Sequence, residues 1–213
     1  MKDTTAAAPP RAYRQVRRAE ATEATHRAIV DAFMASTRTR IVDAVTLDEV
    51  AAAAGVTVQT VIRRFGGKQG LLEAAIDRLE QVVLSRRAYP VGDIDAAAAS
   101  LVEDYDHTGD MVLNWLAQEA VQPLLREPLA CGRRGHREWV AKVFAPWLDG
   151  LAPRARDDRL NGLVVATDVY TWKILRRDMG LERERVVATI AALVSKFLGA
   201  PAKRRAAAGR SAA

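Results

Sequence analysis

Polar and cationic side chains gather between Thr46 and Lys68 at spacings that suit the chemistry of a DNA duplex. Thr57, Val58, Gln59, Thr60, Arg63 and Arg64 fall on or beside one short segment, with Thr46 before it and Lys68 after it. A Gln side chain can bond adenine N6 and N7 together. A Thr can offer its hydroxyl, or bring its methyl to a thymine methyl. Arg63 and Arg64 can neutralise phosphates. Thr46 and Lys68 stand where helices are expected to begin, and backbone N–H groups there attract a phosphate.

Two short helices must hold these groups. Thr46 with Glu49 three residues on forms a capping box, which starts the first helix. Gly55 stops it, and Thr57 caps a second helix that runs to about Phe65. Ala51 is small enough for the helices to cross closely, while Val50, Val56, Val61 and Phe65 anchor them. The pattern is a helix-turn-helix whose second helix fits the major groove. An earlier helix is expected over Ala21–Ser36, with Ala28, Ile29, Ala32 and Phe33 on one face. Gly66-Gly67 ends the recognition segment, and a fourth helix is expected from Lys68 to about Arg87.

The run Thr46-Leu-Asp-Glu-Val-Ala-Ala-Ala-Ala-Gly55-Val-Thr-Val-Gln-Thr-Val-Ile-Arg-Arg-Phe65-Gly-Gly-Lys68-Gln-Gly-Leu71-Leu72 resembles the DNA-binding domain of the TetR family (TetR/AcrR-type) of transcriptional regulators. Ile62 and Arg64 stand where that family usually has Tyr and then His or Tyr, and Gln69 replaces an acidic residue. A phosphate contact made by the aromatic hydroxyl or imidazole in relatives would come from Arg64 here. The resemblance implies an all-α fold of about nine helices: a three-helix DNA-binding domain, then a larger helical effector-binding and dimerisation bundle. It also implies a homodimer through the last two helices, a double-stranded DNA operator and a small-molecule effector.

The expected organisation is a flexible basic arm over 1–20, the helix-turn-helix domain over 21–67, the bundle over 68–198 and a disordered basic tail over 199–213. Arg14, Arg17 and Arg18 of the arm could reach a minor groove. Within the bundle the pattern predicts one helix over Asp93–His107 and another over Asp110 to about Val121. It predicts a third over Leu129–Leu148, a long one from about Asp157 to Met179, and a last one over Glu182–Leu198. The final helix places Val186, Ile190, Leu193 and Phe197 on one seam, widened by Val187, Val194 and Leu198. The seam suits either a twin chain or neighbours within the chain.

Large aromatics crowd the middle of the bundle. Tyr105, His107, Met111, Trp115, Trp139, Asp168 and Trp172 are candidate pocket residues for an apolar or aromatic effector, although aromatics at helical spacing also serve as plain core. Asp104 and Asp106, flanking Tyr105 near an expected helix end, read as solvated acids.

Composition narrows the field further. The net charge of +6 is concentrated at the ends: residues 1–68 hold 11 basic and 7 acidic side chains, and residues 69–198 hold 17 and 19. A basic N-terminal unit suits a polyanion. No nucleophile elbow, phosphate loop or dinucleotide fingerprint is present, so no catalytic residue and no cofactor is expected. Three His and one Cys are scattered without metal-ligand spacing. Cys131 reads as a small buried hydrophobe. No run is long and apolar enough for a membrane span, and the first ten residues lack a secretion signal, so a cytoplasmic location is expected. Two other readings remain: a sequence-tolerant architectural DNA-binding protein, and a ligand-binding bundle whose helix-turn-helix has lost its operator.

Overall fold

The computed structural model describes residues 11–88 and 90–198. Residues 1–10 and 199–213, where the first half of the arm and the whole tail were expected, lie outside the described residues. The described residues form helices without strands and divide into two compact units, Met1–Leu79 and Glu80–Ala213.

The first unit begins with α1 (Arg11–Ser36), which starts ten residues before the apolar pattern does. Residues 11–20 contain Arg, Ala, Gln and Glu, good helix formers that need no buried face. They extend α1 instead of belonging to a flexible arm. A 3-10 turn over Val42–Ala44 leads to α2 (Leu47–Ala53), α3 (Val58–Phe65) and α4 (Lys68–Arg86). The core of this unit is Ile29, Val30 and Phe33 of α1, Val42 and Val45, Val50 and Ala51 of α2, Val61 of α3, and Leu71, Leu72 and Ala75 of α4. The first turns of α4 therefore belong to the first unit, and the boundary falls inside that helix rather than before Lys68.

The second unit holds α5 (Ile94–Gln118), α6 (Pro123–Val143), the single-turn α7 (Ala145–Leu148), α8 (Pro153–Ala166), α9 (Val169–Lys173) and α10 (Arg183–Leu198). Helix α10 packs against α5 and α8. Between them lies an apolar core that includes Leu101, Val140, Leu163, Trp172, Val186 and Ile190.

Three departures from the sequence pattern have local causes. Helix α5 is continuous through Gly109, where a stop was expected. This glycine is needed for close packing: a Cβ there would lie 2.5 Å from the Trp172 ring. Helix α6 starts at Pro123, whose missing N–H costs nothing in the first turn, and it tolerates Pro128 inside. The long helix expected up to Met179 breaks at Thr167-Asp168. There the Asp168 carboxylate accepts from the Tyr170 N–H at 2.9 Å and caps a new helix. That helix relaxes into a π-helical turn over Ile174–Asp178, closed by Met179 N–H to Ile174 C=O at 2.9 Å, before Gly180 (φ 65°) reverses the chain.

Candidate nucleic-acid interface

The helix-turn-helix is built from short-range bonds. The Glu49 N–H donates to Thr46 Oγ1 at 3.3 Å, and the Glu49 carboxylate accepts from the Thr46 N–H at 2.9 Å and the Thr46 hydroxyl at 3.0 Å. Arg40 adds a bond to the same carboxylate at 3.1 Å. The Thr46 backbone donor first, and Arg40 next, hold the Glu49 carboxyl down to about 2. Gly55 turns the chain at φ 66°, and the Val56 N–H donates back to Ala51 C=O at 2.9 Å. Ala51 is buried, as a close crossing of the two helices requires.

Thr57 caps α3 by accepting from the Thr60 N–H at 3.2 Å, and the two hydroxyls lie 3.0 Å apart. Val61 is fully buried and fixes which face of α3 turns inward. The outward face carries Gln59, Ile62 and Arg63, all exposed, with Thr57 exposed at its start. Val58, Thr60 and Arg64 are half-buried along its flanks. Arg64 Nε is buried without a hydrogen-bond partner among the described residues. The Phe65 ring packs on His26 with centroids 4.8 Å apart. Gly66 closes α3 at φ 72° and Gly67 follows at φ 138°.

Thr46 is exposed beside this face. Lys68 opens α4 half-buried, its Nζ donating to Asp43 C=O at 2.7 Å. The structure thus brings Thr46, Thr57, Gln59, Arg63 and Lys68 onto the helix-turn-helix as their spacing suggests. It also exposes Ile62, which was not among the candidates. The signal was present: α3 already has its buried residue in Val61, so the next position turns away from the core.

Of the candidate pocket residues of the second unit, Tyr105, Trp139 and Trp172 share one buried core, with the Tyr105 and Trp172 ring centroids 6.0 Å apart. Trp139 and Trp172 are buried in its core. Trp139 Nε1 donates to Ala88 C=O at 2.8 Å, and Trp172 Nε1 to Asp106 at 3.0 Å. Tyr105 is buried and donates to Thr167 C=O at 3.2 Å. Met111 and Trp115 are buried farther along α5. His107 is exposed and bonds Arg86 at 3.1 Å, because two positions along a helix turn a side chain about 200° from Tyr105. Asp168 is spent on capping α9. Cys131 is exposed, against expectation. A shallow, open concavity between α5 and α6, lined by Leu116, Ala120, Pro123 and Ala130, includes none of these residues.

One polar cluster in this unit went unread in the sequence. Asp104 is fully buried, not solvated, and Arg87 bonds it through Nε at 3.2 Å and a terminal nitrogen at 2.5 Å. Arg87 also reaches His136 Nδ1 at 3.3 Å, and its guanidinium lies 5.4 Å from the Tyr105 ring centre and 5.6 Å from that of Trp139. Because Arg87 can only donate, Nδ1 accepts and the His136 proton sits on Nε2, 3.1 Å from Thr167 Oγ1. Burial, then the Arg87 charge, pushes His136 down to about 3 and keeps it neutral. Among the described residues no group of His, Cys, Asp and Glu could hold a metal ion, and no helix is long and apolar enough to cross a membrane.

Comparison with known proteins agrees with this architecture. The model of the N-terminal domain of "Bacterial regulatory proteins, tetR family" matches residues 27–75, which span α1 to α4. The fold is shared with a transcriptional regulator from Rhodococcus sp. Rha1, at a TM-score of 0.64 and 16% identity over 81% of this chain and 95% of that one. It is shared also with a tetR-family transcriptional regulator from Streptomyces coelicolor, at a TM-score of 0.64 and 20% identity over 82% of this chain and 79% of that one. No curated protein matches the chain. Residues 27–75 are thus similar to the N-terminal domain of the tetR family of bacterial regulatory proteins, and the described residues share the all-helical fold of these transcriptional regulators.

Proposed function

We propose that the protein is a sequence-specific, double-stranded-DNA-binding transcriptional regulator: a homodimeric repressor that a small-molecule effector releases from a near-palindromic operator. The observation that carries this reading is the face of α3. Gln59 and Arg63 stand exposed on a helix short enough for the major groove, with Thr46 and Lys68 at neighbouring helix starts. Selection of bound duplexes from a random pool, at moderate salt with excess competitor, tests it. A near-palindrome is the expected result. Uniform coating of all duplexes would favour an architectural protein, and no binding would favour a ligand-binding bundle.

Gln59 and Lys68 should then separate by role. Gln59→Ala is expected to change preference at one base position in each half-site. Lys68→Ala should weaken every duplex alike and lower the salt slope by about one unit per chain, since each phosphate neutralised contributes roughly that much. Binding titrations from low to high salt on selected and random duplexes check both. Equal losses on both duplexes for Gln59→Ala would remove it from base readout.

The dimer is read from the surface of α8, α9 and α10. Val165, Tyr170, Ile174 and Phe197 are large apolar or aromatic side chains left more than two-fifths exposed, at 65%, 53%, 52% and 44%. Phe197 lies across Gly162, where a Cβ would approach its ring to 2.5 Å, and Val165 follows on the next turn of α8. An apolar face of this kind supports pairing with a second copy. Phe197→Asp is expected to shift the protein from dimer to monomer in sedimentation at micromolar concentration, and to lower operator affinity at least tenfold. A dimer that survives unchanged would move the interface elsewhere. The effector is assigned to the second unit by the same reading; there Met111 and Trp115 are buried along α5, and Trp115 Nε1 has no hydrogen-bond partner among the described residues.

A further inference from the structure

The recognition face of α3 contains one side chain that neither phosphate binding nor hydrogen-bonded base readout explains. Ile62 is 41% exposed, whereas its neighbour Val61 is completely buried. Gln59 lies one turn before it and Arg63 one residue after it, and both are exposed. Among the described residues of the first unit, Ile41 and Ile62 are the large hydrophobics left this open, and only Ile62 is on α3. Helix propensity does not account for it, since a β-branched side chain at an exposed helical position is slightly unfavourable. Core packing does not account for it either, because Val61 and Phe65 already anchor α3.

We propose that Ile62 reads a thymine methyl, and that this thymine lies in the base pair next to the one met by Gln59. The inference rests on the DNA-binding reading above. The C5-methyl of thymine is the apolar group that base edges present in the major groove, so an aliphatic side chain there distinguishes thymine by burying it. Residues three apart on a helix are separated by about 4.5 Å along its axis, close to the roughly 3.4 Å between stacked pairs. Gln59 and Ile62 therefore address neighbouring steps. Ile62 carries no hydrogen-bonding group, so it leaves the polar edges of that pair to its neighbours.

The test removes the methyl and nothing else. In the duplex selected from the random pool, each thymine is replaced in turn by deoxyuridine, and affinity is measured for the native protein, Ile62→Ala and Ile62→Val. One thymine per half-site should be sensitive, and its replacement in both half-sites should weaken the native protein about tenfold, near what burial of two methyl groups supplies. Ile62→Ala should lose a similar factor on the thymine duplex and be indifferent to deoxyuridine at that place, with Ile62→Val between. Thermal unfolding of Ile62→Ala should match that of the native protein, which separates readout from folding. A selected duplex that tolerates deoxyuridine everywhere, or a sensitive thymine that stays sensitive in Ile62→Ala, overturns the proposal while leaving sequence-specific binding intact. Failure to select any duplex overturns the broader reading and this one with it.

Discussion

Arg87→Met is expected to destabilise the second unit by about 3–5 kcal/mol, the usual consequence of stranding one member of a buried ion pair. The Arg87 side chain is 11% exposed and that of Asp104 is 0% exposed. Without the guanidinium, the carboxylate keeps its burial and loses both of its charged bonds. Its second oxygen, Oδ1, already lacks a hydrogen-bond partner among the described residues. His136 would lose the donor to its Nδ1, and the rings of Tyr105 and Trp139 would lose the cation between them.

The deficit should depend on pH in a definite direction. Burial pushes the Asp104 carboxyl above its ordinary value of 3.8 even with Arg87 beside it, and removing Arg87 pushes it further. A folded-state value above the unfolded one gives stability that is fully present below the unfolded value and lost as pH rises through the folded one. The Arg87→Met variant should therefore approach the native protein as pH falls from neutral toward the ordinary carboxylate range. Urea unfolding at pH 7.5 and pH 5 measures the two deficits. The double variant Arg87→Met/Asp104→Leu should recover most of the loss, because an apolar pair needs no partner for Oδ1. A single variant as stable as the native protein at both pH values would show that the pair carries no stability.

Gly70→Ala is expected to cost the first unit about 3 kcal/mol or more, above the usual range for overpacking because the obstruction is backbone. The positive φ angles of Gly66 and Gly67 fold the start of α4 back toward the end of α3. Gly70, the third residue of α4, then lies against the carbonyl that closes α3. A Cβ there would sit 2.0 Å from Phe65 O and 3.1 Å from Phe65 C. No rotamer relieves this overlap. Either α4 moves away from α3 or the last turn of α3 unwinds, and each moves Arg63 relative to Lys68. DNA binding should be lost with the second unit still folded. Gly132→Ala is the contrasting case. A Cβ at Gly132 meets open space, and the residue is inside α6, so stability should rise by about 0.5–1 kcal/mol. Circular dichroism melts of both variants check the pair of expectations, and a Gly70→Ala protein that melts like the native one would refute the first.

The helix-turn-helix was legible because its signals act over three or four residues. Thr46 with Glu49, Thr57 with Thr60, and Gly55 and Gly66 at helix ends each state their role within one turn of chain. The bundle was less legible because its decisive contacts are distant in sequence. Gly109 looks like a helix stop until Trp172, on another helix, is seen filling the space beside it. The break at Thr167-Asp168 follows from a buried threonine held between Leu163 C=O and His136. Asp104 looked solvated because its partner, Arg87, lies seventeen residues earlier, before α5 begins. The start of α1 at Arg11 was missed for a different reason: residues 11–20 have helix-forming composition but no apolar face to announce it.

The tryptophans divide the molecule for an observer using light. All four, Trp115, Trp139, Trp147 and Trp172, lie in the second unit, and the first has none. Intrinsic emission excited at the indole band is therefore a reporter of one unit only, while ellipticity sums over both. Where the two units melt apart, fluorescence should trace a single transition and circular dichroism two. The difference between the curves then isolates the helix-turn-helix without any label. Trp139, stacked near His136 and beneath the Arg87 cation, should contribute emission that changes when that cluster is disturbed, so the same signal that ignores the helix-turn-helix unit registers what happens in the core of the other.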